Sequence, residues 1–180
     1  MIDPITYLAN ETLKDGTEVT IRAIRPEDSA SVLEGFKNLD RDAIYRRFFS
    51  PKRELSDAEI KQLTDVDFSR VVALVVSTNT SKGETLIGGG RYAVEGSESS
   101  QAAELAFLTD EGYRGRGIAS LVLRHLIQLA QDAGVSRLEA DVLADNHPML
   151  MVFRRSGLPM KQRREGSVIH VILELRPDRS

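Results

Sequence analysis

Arg114, Gly115, Arg116 and Gly117 are the residues of this chain whose types and spacing speak most directly of chemistry. A short apolar run, Leu105 to Leu108, precedes them and reads as a buried strand, followed by a turn at Asp110-Glu111-Gly112. After Gly117 the sequence enters an amphipathic pattern that stops at Gly134, which predicts a helix. A strand, a loop of glycine and arginine, and a helix N-terminus in that order suit an anion. Glycine lets a phosphate approach the backbone closely. The first N–H groups of a helix have no internal acceptor, and the helix dipole adds positive potential at the same place. Arg114 and Arg116 contribute full charges and bidentate donors.

The flanking residues narrow the anion. A nucleoside triphosphate loop needs Lys and then Ser or Thr after its second glycine, and Ile118 and Ala119 stand there instead. Gly115-x-Gly117-x-x-Ser120, with Asp141 about 20 residues on, is part of a dinucleotide fingerprint. That fingerprint opens its helix straight after the strand, whereas charged and turn residues intervene here. Arg114 to Ala119 also fits Arg/Gln-x-x-Gly-x-Gly/Ala, and in this it resembles the pyrophosphate loop of the GNAT superfamily of acyl-CoA-dependent N-acyltransferases. A solvated basic turn ahead of a core helix is the plain alternative.

The 180 residues suffice for one domain with a substantial core. A hydrophobic content of 41% and a charged content of 28% belong to an ordinary globular protein. With a net charge of −3, nothing in the overall balance favours nucleic acid. Neither a membrane-length apolar stretch nor a signal-peptide pattern is visible, so no membrane partner is expected and the cytoplasm is the expected location. The lack of cysteine excludes disulfides, thiolate metal sites and a cysteine nucleophile. The three histidines are too scattered to suggest a metal centre, and none is expected.

The elements that must position the loop can be read in order. Residues up to about Gly16 read as a lead-in, and Glu18 to Ile24 alternates as a half-buried strand does. Arg25-Pro26-Glu27-Asp28 starts a helix. Asp40 to Phe49 reads as a second helix, near a basic cluster of Arg46, Arg47, Lys52 and Arg53, and Ser56 with Glu59 forms a capping box for a third. Arg70 to Ser77 is β-branched enough for a central strand. Leu86 to Val94 is a strand containing three consecutive glycines, which signal a bulge or a close backbone approach. Gly96 to Ser100 is turn-like. Arg137 to Leu143 alternates again. Asp145 or Asn146 caps a helix with Pro148 in its first turn and Gly157 at its end. Two hairpin strands follow around Glu165-Gly166. The order predicts an α+β fold with a central mixed, mostly antiparallel sheet flanked by helices, which is also the order of the GNAT fold. A lead-in over 1–16 and a single domain over 17–176 are expected.

The resemblance implies acetyl-CoA as donor and a primary amine as acceptor. It implies that Arg114, Gly115, Arg116, Gly117, Ile118, Ala119 and Ser120 hold the pyrophosphate. The backbone of Phe107, Leu108 and Thr109 would pair with the pantetheine arm as an added strand pairs with a sheet edge. Glu104, at the start of that strand, falls where the resembling protein acetyltransferases carry their general base. Asn146 and Phe153 fit the Asn-to-aromatic spacing of the family's second helix motif. Many members have tyrosine at the latter position as general acid, and Phe153 cannot donate a proton. His125 shares a helix side with Arg124, Gln128 and Gln131 and reads as surface. His147 is a backup base in the capping turn, and His170 reads as structural.

Arg46 to Pro51, Glu54-Leu55-Ser56, Thr64 to Asp67 and Asp145 to Leu150 resemble the bacterial Pat-type protein lysine acetyltransferases. The implied acceptor is a lysine on a metabolic protein, and the implied partner is a regulatory domain not found in this chain. The chain is then either a stand-alone enzyme or a catalytic domain cut from a longer one. Acetylation of a small amine and a non-turnover acyl-CoA sensor are the competing readings.

Overall fold

The computed structural model describes residues 1–37, 55–97 and 101–176. Strands β1 (Leu8–Thr12), β2 (Glu18–Ala23), β3 (Val71–Thr80), β4 (Gly83–Val94), β5 (Ala102–Thr109), β6 (Arg137–Leu143), β7 (Met160–Glu165) and β8 (Val168–Glu174) form one sheet. Helices α1 (Ser29–Lys37), α2 (Asp57–Thr64), α3 (Ile118–Asp132) and α4 (His147–Arg154) complete the described elements. The strand order is β1-β2-β3-β4-β5-β6-β8-β7, antiparallel throughout except between β5 and β6. This is the expected mixed, mostly antiparallel α+β architecture. The helix read over Asp40 to Phe49 and the basic cluster of Arg46, Arg47, Lys52 and Arg53 lie outside the described residues, as does the end of the Gly96 to Ser100 turn.

The two faces of the sheet follow from the two-residue period of a strand. On β3, Val72, Leu74 and Val76 join the main core with Leu121, Val122 and Leu126 of α3. Ala73 and Val75 point the other way and pack with Ile24 and with Val32 of α1. The continuous apolar run read from the sequence is therefore a strand covered on both faces.

Two starts were legible from local chemistry. Ser56 Oγ accepts from the Glu59 N–H and the Glu59 carboxylate reaches back to the Ser56 N–H, closing the capping box of α2. Pro26 opens a short 3₁₀ turn ahead of α1, and Asp28 in that turn accepts from both Arg22 and the Arg25 N–H. The Arg22–Asp28 pair is almost fully buried at 2.8 Å, and Glu84 shares the same guanidinium at 2.7 Å. Three carboxylate contacts on Arg22 push its pKa further up, with Asp28 the main cause. Leaving either partner single would strand a buried charge, a cost of about 3–5 kcal/mol.

One stretch departs from expectation. Residues 8–12, read as lead-in, form β1 and pair with β2 from Leu8↔Arg22 to Thr12↔Glu18. No residue of β1 is fully buried, which is why its apolar pattern was faint. The segment also runs against α3: the Ile2 N–H donates to Asp132 at its far end, and Asp15 lies 3.4 Å from Arg116 at its near end.

Candidate active site

Strands β5 and β6 pair over three positions only, Ala102↔Arg137, Ala103↔Leu138 and Glu104↔Glu139, and then part. On its other side β5 stays bonded to β4 from Ala103 to Thr109. The β6-facing backbone edge of residues 105–109 is thus left without a strand partner among the described residues. An extended chain with amide groups can pair with such an edge. Glu104 stands where the fork closes. Thr109 ends the strand five residues later, about 17 Å away at strand rise.

The glycine-arginine loop follows Thr109 directly. Asp110 accepts from the Gly112 N–H at 2.9 Å and holds a 3₁₀ turn over Glu111–Tyr113. Gly115 and Gly117 have φ of 75° and 88°, in the left-handed region where a side chain is strained. A Cβ at either would meet nothing within 4 Å, so the space over the loop is open. Gly117 is the N-cap of α3, and its carbonyl accepts the first helical bond, from the Leu121 N–H at 3.0 Å. The N–H groups of Ile118, Ala119 and Ser120 have no acceptor among the described residues and are the orphan donors an anion would use. Arg116 stacks on the Tyr113 ring at 4.8 Å, and Arg114 lies 3.9 Å from Glu111. The donor set, the open space and the two guanidinium groups fit a diphosphate.

The glycine triplet places this helix. A Cβ at Gly88 would come within 2.8 Å of the Ile118 side chain, and one at Gly90 within 2.8 Å of both Phe107 and Val122. Gly89 would strike the Leu74 carbonyl at 2.6 Å, next to a register shift at Val76/Ser77. Both signals read from the sequence are present, the bulge and the close approach. The absent side chains let the first turns of α3 settle onto β4, which sets the helix N-terminus beside the end of β5.

Glu104 is solvent-accessible, yet its carboxyl stands among acids. Partial burial, a hydrogen bond with the Glu95 carboxyl, and the charges of Glu95 and Asp141 raise its pKa above the ordinary glutamate value, while Arg91 opposes them. Asp141, part of the partial dinucleotide pattern, is engaged by His170 at 2.7 Å. That bond is the main cause of the raised His170 pKa, with Glu139 adding to it.

The sequence profile of the Acetyltransferase (GNAT) family matches residues 40–158. The chain belongs to this family. It is 32% identical over 145 residues to Acetyltransferase Pat of Mycolicibacterium smegmatis, which covers 81% of this chain and 42% of that protein. It is 30% identical over 139 residues to Acetyltransferase PA5475 of Pseudomonas aeruginosa, 77% of this chain and 74% of the relative. The crystal structure of the GNAT domain of S. lividans PAT superposes with a TM-score of 0.83 at 29% identity, covering 93% of this chain and 96% of that one. The chain thus spans less than half of the first of these relatives. Its fold is the GNAT fold.

Asn146 caps α4, its side-chain oxygen accepting from the Met149 N–H at 3.4 Å. Its amide NH2 has no partner among the described residues. Phe153 is 1% exposed and meets Phe107 edge to face, with centroids 6.1 Å apart. It therefore supports the β5 strand from the core. His147 is exposed in the first turn of α4. His125 corrects the surface reading: it is 6% exposed, held between the Tyr7 hydroxyl and the Glu11 carboxylate, because β1 covers that side of α3. Sequence reasoning also passed over Arg91 and Glu95. Arg91 directly follows the glycine triplet, and a charged residue at a strand's most constrained point was the signal available.

Proposed function

We propose that this chain transfers an acetyl group from acetyl-CoA to a primary amine, a protein lysine foremost, by direct attack in a ternary complex. The observation that carries the reading is the fork of β5 and β6, with Glu104 at its vertex and the anion loop at the far end of the same strand. Acetyl-CoA supplies an activated acyl carbon on a thiol leaving group. The N–H groups of Ile118 to Ser120 and the guanidinium groups of Arg114 and Arg116 bind its diphosphate. The free backbone edge from Leu105 to Thr109 aligns the pantetheine arm, and N–H groups at the fork polarise the thioester carbonyl.

A lysine amine with a pKa near 10.4 is neutral in only about one molecule in a few thousand at pH 7. Glu104 receives the amine proton, directly or through water, as the C–N bond forms and the C–S bond breaks. Its raised pKa makes it a stronger base than an ordinary glutamate. The departing thiolate takes its proton from solvent, since Phe153 has none to give and a thiol pKa lies near 8.5. Asn146 offers its free amide to the arm.

Likeness to Acetyltransferase Pat supports the lysine acceptor, and we carry a regulatory domain as partner and action in the cytoplasm over from the resemblance and composition of the sequence. The catalytic unit is proposed to begin at β1 rather than at residue 17 and to run to residue 176. Purified protein with acetyl-CoA and a panel of lysine-bearing proteins tests the reading by thiol release. Release is expected, and Glu104→Gln should slow it about 10²–10⁴-fold at unchanged acetyl-CoA affinity. Acetyl-CoA binding without release to any acceptor would favour an acyl-CoA sensor instead.

A further inference from the structure

Beside the fork, on the face of the sheet that carries α1, lies a cavity of about 140 Å3. Its walls are mostly apolar, with Val32 and Phe36 from α1, Leu63 from α2, and Ala106 and Leu108 from β5. Arg91 of β4 lies on its border. The ladder registers place Arg91 between Ala73 and Ala106, two small residues. Glu104 pairs with Ala93 and so shares this face, diagonal to Arg91 across the strand pair. Diagonal neighbours of this kind lie about 7–8 Å apart.

Arg91 is half-buried, and partial burial lowers its pKa. No hydrogen bond or ion pair within 4 Å engages it among the described residues. Glu104 is near enough to act on its charge, but not to bond it. An arginine beside carboxylates ordinarily pairs with them through its fork of donors, whereas Arg91, at the cavity border, keeps its donors open to an incoming acceptor. Arg22 in the same sheet shows the ordinary case, with three carboxylate contacts.

We propose that Arg91 reads a carboxylate carried by the amine acceptor. The inference rests on the acetyl-transfer reading above. With the reacting nitrogen at Glu104, a carboxylate a few bonds away reaches Arg91, and an apolar remainder enters the cavity. A free amino acid brings these parts as its own α-carboxylate and side chain. A protein brings them as an Asp or Glu next to the acetylated lysine. The chemistry is the same, and the acceptor tells the two sources apart.

The test separates recognition from turnover. Binding is measured by calorimetry with coenzyme A present, which holds no acetyl group, so no reaction occurs. The probes are apolar amino acids against their amides, and lysine peptides flanked by Glu against the same peptides flanked by Gln. The acid form of one pair should bind about 10–100 times tighter than its neutral partner, and the responding pair identifies the source. Arg91→Gln should abolish that difference and Arg91→Lys should keep part of it, with coenzyme A affinity and the circular dichroism spectrum certifying the fold. Equal binding of acid and neutral forms by the unaltered protein, or discrimination that survives in Arg91→Gln, overturns the proposal. Failure of the acetyl-transfer reading has a different signature: acid discrimination intact, with no thiol released from acetyl-CoA.

Discussion

Glu104 of β5 and Glu139 of β6 face each other at the last paired position before the two strands separate. The vertex of the fork is therefore a place of concentrated negative charge, with Glu95 and Asp141 also acting on Glu104. A group whose pKa is raised by folding binds its proton more tightly in the folded chain than in the unfolded one. Stability then falls as pH rises from the unfolded value of about 4.3 through the higher folded one, and the loss persists at neutral pH.

Glu104→Gln should accordingly raise the melting temperature at pH 7 while it slows turnover, and the gain should vanish below about pH 4. Solvent access to Glu104 keeps the gain small. Glu95→Gln should move the acidic limb of the rate profile, which follows deprotonation of Glu104, to lower pH, because one acidic neighbour is gone. Melting curves and kcat/KM against pH check both. Equal melting temperatures of Glu104→Gln and the unaltered protein across the range would contradict the crowding of charge at the vertex.

Arg116 is shared between two claims. It stacks on Tyr113 and lies 3.4 Å from Asp15, and the diphosphate needs the same guanidinium. Arg116→Gln should weaken acetyl-CoA about 10-fold or more, and leave S-acetylpantetheine, which lacks the diphosphate, unaffected. Gly117→Ala should weaken acetyl-CoA too, and should destabilise by about 1–2 kcal/mol through its left-handed backbone. Paired affinities for the two thioesters decide this. An equal loss for both would move the diphosphate away from the loop.

The loop was legible because its signal is local: glycine spacing, arginine neighbours and a helix start lie within a few residues. The capping box at Ser56 and the turn at Pro26 were legible for the same reason. No local pattern marks the fork, since it depends on where β5 and β6 stop pairing, and those strands are separated in sequence by all of α3. The relation of Arg91 to Glu104 needs the register of β4 against β5, which alternation alone does not fix. His125 was misread because a helix side that looks polar can be covered by a strand from far away, and β1 has too little buried surface to announce itself. The glycine triplet told of a close approach, but not that α3 was what approached.

The Glu11–His125 contact yields a pH prediction of opposite sign. Glu11 has its pKa lowered, chiefly by the hydrogen bond from His125 and further by Arg124. A depressed carboxylate stabilises the fold above the unfolded pKa and loses that contribution as pH falls through the folded value. Glu11→Gln should therefore lower the melting temperature at pH 7, and the gap should close below about pH 4. His125→Ala should cost more, because it also removes the partner of the Tyr7 hydroxyl and leaves a space at a nearly buried site. A melting temperature of Glu11→Gln equal to that of the unaltered protein at pH 7 would mean that β1 is not held to α3 through this pair.

Phe153 decides whether a general acid can be installed. Its ring is 1% exposed and set edge-on to Phe107, inside the main core. A tyrosine there would bring a hydroxyl into an apolar surround, and a buried hydroxyl without a partner costs about 1–3 kcal/mol. Phe153→Tyr should lower the melting temperature and leave thiol release no faster, since solvent already protonates a leaving group with a pKa near 8.5. Phe153→Leu keeps the site apolar and should slow release only so far as Phe107, and with it the β5 edge, shifts. Rate and melting temperature measured side by side on both variants give the answer. A faster Phe153→Tyr would show that the new hydroxyl reaches the sulfur, and that protonation of the thiolate limits the rate of the unaltered protein.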